Sequence, residues 1–203
     1  MLRPIADRHD HNIECAVENA SGKCLAIMRP RTQLSPITRA TDDLEFEIVR
    51  PDYAALLYLT RYGGNSGHVV QIRDHAGIDL GRLRQSNSFW QQVRTQRMDL
   101  AIEFGNQHLG HTEVGTSAFK RTNAEVHEPV YDAAGTAVAH IDRQWHMRTG
   151  SLHPQFDYML ACSAPTTHPL PTLTLVVAFT HYIYDKLMTG GPLRSQGWTW
   201  WRN

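Results

Sequence analysis

The sequence predicts a mainly β domain, a barrel or sandwich of antiparallel strands holding one buried C-terminal helix. Three observations carry this: a hairpin pattern repeated three times, period-two alternation between the copies, and an apolar segment near the C-terminus. The chain has 203 residues, 41% of them apolar, and 20 basic side chains balance 20 acidic ones. That length supports a sizeable core without disulfides or metals. The composition argues against disordered and collagen-like classes. Zero formal charge removes the electrostatic argument for general nucleic-acid binding, so no nucleic-acid partner is expected.

The repeat spans residues 17–26, 72–81 and 130–139, with Asn19, Asp74 and Asp132 followed three residues later by Gly22, Gly77 and Gly135. An Asp or Asn carboxyl or amide oxygen can accept backbone N–H bonds two residues ahead, and glycine takes the positive φ of a type I turn with a bulge. Each copy is therefore a tight hairpin. The small residues Ala26, Gly81 and Ala139 share a strand face with Met28, Leu83 and Ile141, which leaves room for a closely packed partner.

Further strands are expected over 44–49, 56–61 and 98–104, with Met98, Leu100, Ile102 and Phe104 facing one way. Gly63 to Gly67 and Gly105 to Gln107 read as turns, and Pro165, Pro169 and Pro171 as the loop before the one convincing helix. That helix is expected over about 171–188. Leu173, Val176, Val177, Thr180, Ile183, Tyr184 and Leu187 form one stripe, while Leu175, Ala178, Phe179 and Tyr182 cover much of the rest. A helix apolar nearly all round is buried on all sides, and in a mainly β protein a closed barrel is its container. Residues 1–12 read as a tail, 13–203 as a single domain, and Trp198, Trp200 and Trp201 as a short aromatic strand.

The hairpins, the run Val130 to Ile141 leading to Arg143-Gln144-Trp145, and the apolar C-terminal helix together resemble the phospholipid scramblase and LURP-one-related branch of the tubby-like superfamily, over roughly residues 13–201. The resemblance implies an antiparallel barrel of twelve strands around the helix, and a module that binds membrane phospholipid or phosphoinositide without catalysing a reaction. The chain departs from the eukaryotic scramblases. No proline-rich arm is expected, Cys15 and Cys24 stand apart where a palmitoylated cluster would have them together, and Gln155 to Leu160 offers one carboxylate where calcium wants six to eight oxygens.

Candidate lipid-binding residues are Arg82, Arg84, Phe89, Trp90, Arg94 and Arg97, in a stretch from 82 to 97 that has no acidic residue and reads as a polar loop with Phe89 and Trp90 at its centre. Guanidinium forks match phosphate oxygens, and aromatic rings anchor at the headgroup level. The plainer alternative has Phe89 and Trp90 plugging one end of the barrel while the arginines pair with Asp79, Asp99 or Glu103. His9-Asp10-His11 and the pair His108 and His111 lack the three or four convergent ligands of a zinc site, so no metal and no cofactor is expected. His181 and Asp185 read as a hydrogen-bonded pair near the barrel mouth, and Cys162 as a small core residue. No nucleophile elbow, phosphate loop, H-E-x-x-H or EF-hand pattern is present, so no enzyme is expected.

The expectation is a peripheral anionic-phospholipid binder at the cytoplasmic membrane face. A soluble protein-interaction barrel using Trp198, Trp200 and Trp201 is the alternative, and scrambling proper a third reading. Three sparse cysteines and a charged N-terminus point to a cytoplasmic, reducing location.

Overall fold

A computed structural model describes residues 2–4, 13–32, 43–63, 67–95, 97–115, 126–146 and 155–189. Its strands are β1 (Leu2–Pro4), β2 (Cys15–Glu18), β3 (Cys24–Pro30), β4 (Leu44–Val49), β5 (Ala55–Tyr62), β6 (Val69–Asp74), β7 (Asp79–Gln85), β8 (Arg97–Phe104), β9 (Gln107–Gly115), β10 (Val126–Asp132), β11 (Ala137–His146) and β12 (Gln155–Cys162). Two helices complete the fold, α1 (Phe89–Thr95) and α2 (Leu170–Thr189). From β2 to β12 every strand pairs antiparallel with its neighbours in sequence, giving a mainly β meander followed by a C-terminal helix. Within the stretch read as a tail, Leu2 to Pro4 register with Val17 to Cys15 of β2, and Leu2 also lies opposite Tyr158 of β12.

The three hairpins form as their chemistry dictates. Oδ1 of Asn19 accepts from the backbone N–H of Ser21 and Lys23, that of Asp74 from Ala76 and Ile78, and that of Asp132 from Ala134 and Thr136, all within 3.0 Å. Gly22, Gly77 and Gly135 take φ of 78°, 83° and 81°, and the register slips by one residue beside each turn. Each hairpin is thus a turn with a bulge. Ala26, Gly81 and Ala139 are buried alongside Met28, Leu83 and Ile141, as the shared face requires.

What packs into the space they leave is α2. Leu173, Val176, Val177, Ala178, Phe179, Tyr182 and Ile183 join inward residues of the sheet in one core. Phe179 meets Phe46 of β4 edge to face at 5.2 Å, Tyr182 meets Tyr158 of β12 at 5.8 Å, and Leu173 lies against Gly81 of β7. The Tyr182 hydroxyl donates to the carbonyl of Glu14, just before β2, at 3.0 Å. Contacts with strands so far apart in the sheet order mean that the sheet curves around the helix. Thr174 and Thr180 satisfy their buried hydroxyls by donating to the carbonyls of Leu170 and Val176, each at 2.8 Å.

Two local expectations change. Phe104 is exposed, since β8 ends there at the Gly105-Asn106 turn, with the register slipping beside Glu103. The region around Phe89 and Trp90, read as a loop, is the short helix α1. The turn at 64–66 and the segment 190–203 with its tryptophans lie outside the described residues.

Candidate functional site

The end of the sheet that carries α1 differs chemically from the rest. Ser88 starts the helix with a capping box: its Oγ accepts from Gln91 N–H at 3.3 Å, and its own N–H donates to Gln91 Oε1 at 2.9 Å. One turn apart on α1 stand Trp90, 76% exposed, and Arg94, also exposed. No ion-pair partner of Arg94 is found among the described residues. The backbone of Phe89 begins the helix, but its side chain lies outside what is described.

The remaining arginines are held by carboxylates. Arg82 and Arg84 project from the outer face of β7, and both reach Glu103 on β8, Arg82 Nε at 2.7 Å and Arg84 through Nε at 3.0 Å and through Nη2. These hydrogen bonds, Arg84's first, hold the Glu103 carboxyl below the usual carboxylate range despite its partial burial. Arg97, on β8, pairs with Glu113 of β9. Asp79 instead accepts from Gln71 and from the Gly81 N–H. The structure therefore gathers Arg82 and Arg84 around one carboxylate and sets Arg97 on another, while Arg94 stands exposed one helical turn from the exposed Trp90.

Beneath α1 the interior turns polar. Buried Arg61 of β5 donates to His68 Nδ1 at 3.0 Å, and the Gln85 side chain accepts from the His68 N–H at 3.2 Å. Gln85 Nε2 donates to the Asn87 carbonyl and to Gln92 of α1, tying the helix to this layer. Glu128 of β10 and Arg143 of β11 also face inward; burial raises the Glu128 carboxyl above its ordinary range. His181 of α2 is 1% exposed, and its Nε2 has no hydrogen-bond partner among the described residues. Burial first, then the Arg143 charge, pushes its imidazole down to about 3. His181 was expected to pair with Asp185, whose side chain lies outside the described residues; its electrostatic neighbour is Arg143.

His108 and His111 stack 6.3 Å apart on β9, and His111 stacks on Tyr131. His9, Asp10 and His11 lie outside the described residues. A different set, His127, His140 and Asp142, converges on β10 and β11. Cys162 is exposed at the end of β12, not in the core. No helix is long and apolar enough to cross a membrane among the described residues. Comparison with protein-family models, curated proteins and solved structures finds no match to this chain.

Proposed function

We propose that this chain is a non-enzymatic, scramblase-like module of the tubby-like superfamily that binds anionic phospholipid peripherally at the cytoplasmic membrane face. The observation that carries the reading is the pairing of exposed Trp90 with Arg94 one helical turn away. A tryptophan ring with that much surface in water gains by entering the headgroup region, and a neighbouring guanidinium binds lipid phosphate there. Each basic residue near an anionic surface contributes about 1 kcal/mol. Arg82 and Arg84 share the single carboxylate of Glu103 and keep one net positive charge between them, whereas Arg97 is matched by Glu113.

The family reading also takes the sheet as a closed barrel of twelve strands, with β1 bridging β2 and β12. A helix enclosed by that sheet has no apolar face to offer lipid, which favours binding over scrambling. Co-sedimentation with anionic and with neutral vesicles, at low and high salt, tests the proposal. Binding to anionic vesicles that salt weakens is the expected result. Equal partitioning to both, or none to either, overturns it.

A further inference from the structure

We propose that His127, His140 and Asp142 form a binding site for a divalent transition-metal ion, with Zn²⁺ the best match. The register of two strands builds it. His127 of β10 lies directly opposite Asp142 of β11, and His140, two residues before Asp142, shares its face. The flanking positions Ala139, Ile141 and Arg143 point into the core, so the three side chains stand on the outer face of the sheet. Ligands on paired strands are placed by backbone hydrogen bonds and not by loop conformation.

His127 Nδ1 lies 2.6 Å from Asp142 Oδ1, His140 Nε2 lies 3.4 Å from Oδ2, and the three ligand atoms are all within 4.8 Å of one another. The imidazole rings are 4.4 Å apart and tilted by 35°. A tetrahedral zinc about 2.1 Å from each ligand holds neighbouring ligand atoms roughly 3.4 Å apart. Small side-chain rotations reach that arrangement, and the His127 side chain, 62% exposed, is able to make them. A neutral imidazole carries one proton. Placed on the ring nitrogen that faces away from the cluster, it leaves the converging nitrogen a lone pair for the ion.

Two imidazoles and one carboxylate suit zinc and its neighbours in the first transition row, whereas Ca²⁺ and Mg²⁺ want all-oxygen shells. Three protein ligands on an open face leave a fourth position for water or for a group from another molecule. The site is independent of the lipid reading.

Titration of the metal-stripped full chain with ZnCl₂, followed by calorimetry, tests it against the variants His140→Ala, Asp142→Asn and the more exposed His127→Gln. His108→Ala is the control for adventitious histidine binding. Zinc is expected to bind one-to-one, with affinity falling at least about tenfold in each of the three variants and unchanged in the control. Circular dichroism confirms that each variant keeps the β fold. Zinc affinity unchanged in His127→Gln and His140→Ala, no binding at all, or equal competition by Mg²⁺ overturns the proposal.

Discussion

Arg61 Nη2 donates a hydrogen bond of 3.0 Å to Nδ1 of His68 inside the α1 end of the sheet. A guanidinium only donates, so Nδ1 accepts and the neutral ring carries its proton on Nε2. Burial first, and the Arg61 charge second, push this imidazole down to about 4. His181 is pushed to about 3 by the same kinds of cause.

Stability therefore falls with acid in a defined window. Unfolded histidines titrate near 6.5, so as pH drops from there toward about 4 the unfolded chain takes up protons that the folded chain refuses. Each histidine contributes a slope of up to about 1.4 kcal/mol per pH unit across its window. Denaturant midpoints are expected to fall between about pH 6.5 and pH 4.5, and to fall less in His68→Gln. Glu128, raised by burial, acts in the opposite sense as pH rises through its folded value, so comparing variant with wild type isolates the histidine share. A variant with the wild-type slope contradicts neutral burial of His68.

Gly81 and Gly77 separate two costs of replacing glycine. Both have positive φ, 125° and 83°. At Gly77 an added Cβ meets open space, whereas at Gly81 it meets the Glu103 carbonyl and the Leu173 side chain. Gly77→Ala is expected to cost about 1 kcal/mol from backbone strain alone, and Gly81→Ala about 3 kcal/mol or more because strand β8 or helix α2 must shift. Urea unfolding reads both, and equal losses would mean that the Glu103 carbonyl of β8 leaves room for a Cβ at Gly81.

Each Asx oxygen at a hairpin holds two N–H groups, so Asp74→Ala and Asp132→Ala are expected to lose about 1 kcal/mol each. The turns share no partners, and the double variant should show the sum to within about 0.5 kcal/mol.

On the lipid reading, Trp90→Ala and Arg94→Ala each weaken partitioning into anionic vesicles by about tenfold or somewhat less. Glu103→Gln works in reverse. It removes the carboxylate shared by Arg82 and Arg84 and is expected to strengthen binding. Weakened binding in Glu103→Gln would show that the paired arginines serve structure alone.

The hairpins were legible in the sequence because Asn19, Asp74 and Asp132 act on N–H groups within four residues of themselves. Helix α2 was legible because its apolar residues cover most of its circumference. Helix α1 is less legible, because its seven residues are too few to show an apolar stripe even though Ser88 and Gln91 spell its capping box. The partners of Arg82, Arg84 and Arg97 follow from strand register, which no local pattern encodes. His127 and Asp142 meet for the same reason, whereas the approach of Arg143 to His181 depends on how α2 packs against the sheet.

The burial of α2 in the core imposes an order on synthesis. The ribosome delivers Phe46, Ile72 and Leu83 well before Phe179 and Leu173, so strands emerge with their greasy side facing nothing. The sheet acquires its filling only when the last described element leaves the exit tunnel. Until then the nascent strands depend on transient substitutes, a chaperone or their own loose collapse, and a chain cut short of Leu170 has no lasting one.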